Sequence, residues 1–317
     1  MTKPNWPQIA LGTWSWGVGN TGGDQVFGNH VGKKELAPVV KAAMNSGFNL
    51  WDTAYAYGLG ASETILGNLL SAYPRSQYFL STKFTPQLEN GGSHPVSDML
   101  SGSLSRLHTH YIDLYWIHNP ADVEKWTPRL IPLVKSGKVK HVGVSNYNLK
   151  QIKRAQEILG RQGIKLDAVQ NHYSLLYRSS EKAGILDYCK NHQITFYPYM
   201  VLEQGALTGQ YGPQHPMPEN SDRGKIYNKL LPQIKKLTDV MDAIGHKYHR
   251  SIAEVATAWT IQKGGLPIVG VTKEKHIDSE KNAVTLKMDK VDLAKLEKTA
   301  QSIDVNTKAG WENSMTD

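Results

Sequence analysis

Eight times along this chain, a short run of β-branched, aromatic or aliphatic residues gives way to a longer amphipathic segment. No other feature restricts the fold as much. The short runs cover residues 9–13, 48–52, 78–83, 113–118, 141–145, 167–170, 194–197 and 266–270. Helical spacing of apolar residues fills 33–45, 62–71, 96–107 and 149–159 between them. A further helical segment is expected over 251–262, where Ser251 is a good N-cap and Glu254 completes a capping box. Strands that alternate with helices are expected to be parallel and joined by crossovers. Eight such units close most economically into an α/β, (β/α)8 TIM barrel. The 317 residues would suffice for two average domains. Barrels routinely use this length as one, however, and no linker divides the chain, so a single domain over 1–317 is expected.

Composition narrows the function classes. Forty per cent hydrophobic and 20% charged residues describe an ordinary globular protein. No run approaches the roughly 20 apolar residues that cross a bilayer. The N-terminal Met-Thr-Lys-Pro-Asn-Trp-Pro lacks the apolar centre of a secretory signal. Cys189 is the only cysteine, so no intrachain disulfide can form, and a cytoplasmic protein is expected. The net charge of +8 is scattered, and the densest stretch, 287–298, interleaves Lys with Asp and Glu. That pattern is a solvated helix face, which argues against nucleic acid as a partner. A positive surface does suit a small polyanionic cofactor.

Barrel active sites are built at the carboxyl ends of the strands. Here those ends carry Asp52, Lys83, His118, Ser145, Asn146, Gln170 and Tyr197, with Tyr57 just beyond the second strand. A tyrosine with a pKa near ~10 donates its proton poorly at neutral pH. A neighbouring Lys83 ammonium is expected to lower that value, with Asp52 holding Lys83 in place and His118 orienting a carbonyl oxygen. Asn146 and Gln170 carry the donors and acceptors to bracket a carboxamide, and Tyr197 a ring to lie against a flat heterocycle. A nicotinamide has both features, and hydride plus proton means carbonyl reduction. The alternative reading of Lys83 is a Schiff-base amine, which its Asp partner opposes by keeping it charged.

Around these ends, Trp14, Trp16 and Tyr55 are expected as walls of a substrate pocket, with Asn119 beside His118. Trp116, two residues before His118, points the same way along its strand and is expected to fill the barrel below the site. Residues 198–228 form a connection rich in Gly, Pro, Asn and Gln, long enough to be a lid. Residues 17–22 match a dinucleotide-binding glycine pattern literally, but that motif requires a helix opening directly from it. The next helical pattern waits until Lys33, so a loop at the pocket rim is expected. The pairs His108/His110 and His246/His249 come without a third ligand, and no metal is expected.

These residues resemble the aldo-keto reductase family from Ile9 to about Leu296. The blocks, in order, are Leu-Gly-Thr-Trp (11–14), Asp-Thr-Ala-Tyr-Ala-Tyr-Gly (52–58), Ser-Thr-Lys (81–83), Asp-Leu-Tyr-Trp-Ile-His-Asn-Pro (113–120), Gly-Val-Ser-Asn (143–146) and Leu-Thr-Gly (207–209). The resemblance implies NADP(H) as cofactor, Tyr57 as general acid with Asp52, Lys83 and His118 as its partners, and a lid over the pyrophosphate. Cofactor contacts are then expected from Gly12, Thr13, Trp14, Ser145, Asn146, Gln170 and Tyr197. Met200, Leu207, Gly270, Thr272, Lys273, Lys275 and His276 complete the expected set.

Two segments depart from the family pattern. Tyr-Pro-Tyr-Met stands at 197–200 where relatives commonly have Tyr-Ser-Pro-Leu. Thr272, His276, Ser279 and Glu280 stand where many have Arg, Gln and a Glu-Asn pair. Lys273 or Lys275 is then expected to face a 2′-phosphate. The implied activity is reduction of aldehydes or ketones by NADPH. An aromatic pocket without an Arg clamp favours neutral, partly apolar or aromatic small-molecule carbonyls. The alternative is a cofactor-redox-sensing protein of the same fold with slow turnover. The sequence does not set the oligomeric state.

Overall fold

The computed structural model describes residues 6–315. The eight strands are β1 (Ala10–Gly12), β2 (Leu50–Asp52), β3 (Phe79–Phe84), β4 (Ile112–Ile117), β5 (Val139–Ser145), β6 (Ala168–His172), β7 (Thr195–Tyr199) and β8 (Ile268–Gly270). Each falls where a short apolar run predicted one. They pair in parallel in the order β7-β6-β5-β4-β3-β2-β1-β8. The Leu266 amide then donates to the Phe196 carbonyl at 2.9 Å, bringing the two ends of the sheet together. The product is a nearly closed (β/α)8 barrel with helices outside. The expected helices appear at Lys33–Asn45, Ala61–Leu70, Pro95–Arg106, Leu149–Gly160 and Ile252–Gln262. Ser251 accepts from the Glu254 amide and Glu254 from the Ser251 amide, so the capping box is formed.

Two apolar sets follow from the period of two along each strand. One face of the strands, with Tyr115 and Ile117 from β4, packs against the helices. The other fills the barrel with Ala10, Leu50, Leu114, Trp116, Ala168 and Tyr197. Trp116 is fully buried, and Gly143 on the neighbouring strand makes room for it. A Cβ at Gly143 would lie 2.3 Å from Trp116 Cε3.

Strand β7 runs two residues past the expected end at Tyr197, straight through Pro198. Thr195 donates to the Asp167 carbonyl on the β6 side, whereas Phe196 accepts from Leu266 on the β8 side. By alternation Pro198 faces the seam between β7 and β8, where its missing N–H breaks no ladder bond. The strand therefore continues, and it brings Tyr199 to the mouth of the barrel.

The long connection after β7 is folded. It holds a short turn at Glu203–Gly205 and a helix at Asp222–Tyr227 capped by Ser221. Arg223 ties it together, donating from Nη1 to the Gln204 carbonyl (2.9 Å) and from Nη2 to Tyr211 OH (3.0 Å). The lid reaches the glycine-rich loop after β1, where its Arg223 guanidinium stands 5.5 Å from the Phe27 ring. That loop corrects one expectation, because a helix at Gly23–Phe27 does open directly after Gly22. No strand feeds it, since β1 ends at Gly12. Among the described residues, no helix is long and apolar enough to cross a membrane.

Candidate active site

The ends of β2, β3 and β4 converge on one buried ion pair. Lys83 is wholly buried, and its ammonium donates to Asp52 Oδ2 (2.6 Å), the Thr53 carbonyl (2.7 Å) and Tyr57 OH (3.2 Å). Those three acceptors use every Lys83 donor. Asp52 Oδ1 in turn accepts from Ser81 Oγ (2.7 Å) and Gln170 Nε2 (3.3 Å). Trp116 Nε1 donates to Ser81 Oγ from below at 2.5 Å. Such a pair is costly to bury but well satisfied, so it holds Lys83 in a single position. Burial works against the ammonium, yet Asp52 and Tyr57 outweigh it and hold its pKa above the ordinary value.

Tyr57 is reached by a short 3-10 turn, Tyr57–Gly60, in which Gly58 and Gly60 take left-handed conformations (φ 63° and 97°). The expected lowering of its pKa is not what this environment produces. Burial raises it above the ordinary 10, Lys83 pulls it down by less, and Asp52 adds to the rise. Tyr57 therefore stays protonated at neutral pH. His118 meets the Tyr57 ring edge-on at 5.8 Å, and its Nδ1 is 2.9 Å from Thr85 Oγ1. Burial, helped by Lys83, pushes its pKa well below 6.5, so the ring is neutral.

These groups stand at one end of a cavity of about 1110 Å³ that runs between the strand ends and the lid. Of the residues expected around a cofactor or substrate, Gly12, Thr13, Trp14, Asn119, Ser145 and Gln170 line it. Met200, Gly270, Thr272, Lys273, Lys275 and His276 line it further along. Asn20 and Thr21 from the glycine-rich loop form part of its rim.

Five expected residues do not line it. Trp16 is fully buried, its Nε1 donating to the Val271 carbonyl at 2.7 Å, and belongs to the core. Tyr55 turns away to stack under the Arg106 guanidinium, 4.9 Å from its ring. Tyr197 lies inside the barrel, edge-on to Trp116 at 5.3 Å, a layer below the position assigned to it. Leu207 is core beneath the lid, although Gly205, Thr208 and Gly209 around it do line the cavity. Asn146, left-handed at φ 63°, spends its amide on the protein. Its Nδ2 donates to the His118 carbonyl (3.0 Å) and to Asn119 Oδ1 (3.2 Å), and its Oδ1 is 2.6 Å from Tyr199 OH.

The sequence reading missed Tyr199, which lines the cavity in place of Tyr197. Its signal was present, because residues two apart on a strand share a face. It also missed Arg223, which lines the cavity and has no ion-pair partner among the described residues. No local signal marked His172, Glu203, Trp311 or Glu312, which meet only in three dimensions.

At the far end, Lys273 and Lys275 line the cavity without ion-pair partners among the described residues. His276 Nδ1 accepts from the Thr272 amide (3.2 Å), and burial with the two lysines lowers its pKa to about 4. Beside it Glu280 is buried near Glu254, and burial followed by Glu254 pushes its pKa up to about 8. Several polar atoms of cavity-lining residues are buried without partners among the described residues: Ser15 Oγ, Gln204 Oε1, Arg223 Nε and Glu280 Oε2. Orphaned polar atoms around a cavity of this volume fit a large polar ligand, and the cations fit an anionic one. Among the described residues, no group of three or more His, Cys, Asp or Glu is placed to hold a metal ion.

The chain is 29% identical over 316 residues to "Probable aldo-keto reductase 1" of Glycine max, covering 93% of this chain and 89% of that one. It is 29% identical to "Putative aryl-alcohol dehydrogenase C750.01" of Schizosaccharomyces pombe, covering 83% and 91%. Among solved structures, the glycerol dehydrogenase AKR11B4 of Gluconobacter oxydans superposes with a TM-score of 0.78 at 23% identity, covering 96% and 94%. An aldo-keto reductase of Klebsiella pneumoniae solved with NADPH gives 0.70 at 23%, covering 92% and 90%. Residues 8–301 match the aldo/keto reductase family as a whole, and the chain belongs to that family.

Proposed function

We propose that the protein reduces aldehydes or ketones to alcohols with NADPH, and that Tyr57 is the general acid. The observation that carries this reading is the hydroxyl of Tyr57 at 3.2 Å from a buried, fully hydrogen-bonded ammonium, in a cavity of about 1110 Å³. The bound cofactor supplies the hydride. The chain's own residues supply the rest. Hydride arriving at the carbonyl carbon places negative charge on the oxygen, which takes the proton from Tyr57. Lys83 then stabilises the phenolate as it forms, an electrostatic role that needs no movement because Asp52 already fixes the ammonium. Tyr57 is thus neutral before the transfer and stabilised after it. Neutral His118, with Nδ1 engaged by Thr85, has Nε2 free to hold the carbonyl oxygen.

For the cofactor, Ser145 and Gln170 are the residues at the nicotinamide end, and Arg223 lies between the two ends. Lys273 and Lys275 supply charge for a 2′-phosphate. The K. pneumoniae relative was solved with NADPH, which supports the choice. The mouth near Tyr57 includes apolar and aromatic Trp14, Leu59, Leu88 and Trp311, and its polar members, among them Thr21, Gln87 and Asn119, are uncharged. That lining suits neutral aryl or partly apolar carbonyls, and a relative named as a putative aryl-alcohol dehydrogenase points the same way. NADPH absorbance during incubation with a panel of aldehydes and ketones tests the reading. Tyr57→Phe is expected to lower kcat by about 10²–10⁴-fold while leaving NADPH affinity within a few-fold. Tight NADPH binding without repeated turnover by the wild-type protein would replace the reductase with a redox sensor.

A further inference from the structure

The Asp52 carboxylate is held from inside the barrel as well as from its mouth. Asp52 pairs with Ser81 across β2 and β3, and Lys83 pairs with Trp116 across β3 and β4. Ser81 and Lys83 are two residues apart on one strand, so both turn to the barrel interior. Ser81 and Trp116 are buried and do not line the cavity. The direction of the bonds between them is set by their chemistry. An indole N–H can only donate, so Trp116 Nε1, 2.5 Å from Ser81 Oγ, occupies an acceptor site of the hydroxyl. The one hydrogen of that hydroxyl is left for Asp52 Oδ1 at 2.7 Å, an ionised oxygen that can only accept.

The result is a donor chain from Trp116 to Ser81 to Asp52 in which each bond polarises the next. Packing fixes its first member, because Tyr197 meets the indole edge-on at 5.3 Å and Gly143 leaves the space it fills. What the chain does to Tyr57 follows from charge. The titratable groups around the phenol are Asp52 from β2, Lys83 from β3, His118 past the end of β4 and Tyr199 from β7. Burial holds His118 and Tyr199 neutral, so the balance at the phenol lies between Lys83 and Asp52. A donor on Oδ1 stabilises the Asp52 anion and weakens its hold on the protons of Lys83. More of the ammonium's charge is then available to the Tyr57 oxygen. Gln170 Nε2 adds a second donor to Oδ1 at 3.3 Å, but Gln170 lines the cavity, where a ligand can engage it. The Ser81 bond lies below the reach of any ligand.

We propose that Ser81 and Trp116 are positioning residues for the proton transfer. Acting through Asp52 and Lys83, they set how readily Tyr57 gives up its proton. The inference rests on the reductase reading for the role of Tyr57.

The test follows kcat, KM and NADPH Kd for one reducible aldehyde, and the pH profile of alcohol oxidation, in the full-length protein. Ser81→Ala lowers kcat about tenfold, on the scale of a lost charge-assisted hydrogen bond. Aldehyde KM and NADPH Kd stay within about twofold, because such a bond lies outside the binding surface. In alcohol oxidation Tyr57 must be ionised to take the proton, so activity rises with pH. Ser81→Ala moves that rise to higher pH by about half a pH unit or more. A residue that only packs the barrel would lower the melting temperature and leave the profile in place. Trp116→Phe keeps a ring but removes the N–H, and lowers kcat about threefold. Added to Ser81→Ala it changes kcat by less than about twofold more, because its effect passes through Ser81. A pH profile that stays in place in Ser81→Ala overturns the proposal, whatever happens to kcat. Effects that multiply in the double variant remove Trp116 from it. Should Ser81→Ala fail to fold, Ser81→Cys, a weaker donor of similar size, reads the same displacement. A wild-type protein that reduces no carbonyl overturns the reductase reading itself, an outcome distinct from an unchanged profile in an active variant.

Discussion

A tyrosine that must give up a proton is better held neutral than half-ionised, and that is how the residues around Tyr57 act. Burial and Asp52 keep the hydroxyl protonated, while Lys83 waits to stabilise the anion. The proximity of Asp52, Tyr57, Lys83 and His118 was legible because each lies at or just past a strand end and strand ends share one face of a barrel. The sign of the Tyr57 shift was not, because desolvation depends on how much protein closes over the ring. The same limit governs the walls. Trp14 and Trp16 are two residues apart in a loop, where the strand period no longer applies, and only Trp14 reaches the cavity. At the opposite end, Lys273 and Lys275 have no carboxylate partner among the described residues, so their charge is available to a ligand. The double variant Lys273→Ala/Lys275→Ala should weaken NADPH binding by roughly tenfold or more, on the scale of a lost charged hydrogen bond, and NADH binding far less. Fluorescence titration with both cofactors measures the ratio, and an unchanged ratio would assign the 2′-phosphate to other residues.

Elements are decided by how well a local pattern survives its neighbours. The eight strands were readable from short apolar runs, because each strand faces apolar surroundings on both sides. Pro198 hid the end of β7, since a proline within a strand ordinarily marks its limit. Only the position of the β7–β8 seam shows why it is harmless here. The tail after Ser302 had no periodic pattern to read, and side chains such as Thr307, Glu312 and Met315 hold it through partners far away in sequence. Gly143 shows the converse, a strand residue whose identity is dictated from across the ladder. Gly143→Ala places a methyl 2.3 Å from the buried Trp116 ring, which also holds Ser81 under Asp52. Overpacking of this kind costs about 1–3 kcal/mol. Thermal denaturation should show the loss. Activity should fall as well, through displacement of the Trp116–Ser81–Asp52 stack, and a variant as stable and active as wild type would show that Trp116 has room to move.

For the whole molecule, the lid, the barrel and the C-terminal tail share one charge. His172 lies between Glu203 and Glu312, with the Tyr177 ring stacked on it at 4.3 Å. Burial disfavours the charged ring, but the two carboxylates outweigh it and raise the pKa from 6.5 to about 9. A group whose pKa is raised on folding contributes stability that is complete below its unfolded value and lost as pH climbs through its folded value. The cluster should therefore stabilise the protein fully below about pH 6.5, weaken steadily above it, and contribute nothing much past pH 9. The shift corresponds to something on the order of 3 kcal/mol between those limits. Urea denaturation from pH 6 to 10 reads this directly, with His172→Gln as the comparison. Wild-type stability should fall across the window, whereas the variant, already weakened at pH 6, should fall much less, so the two curves converge near pH 9.5. Parallel curves would mean that the ring is neutral in the folded protein and that another force holds Glu203 and Glu312 side by side.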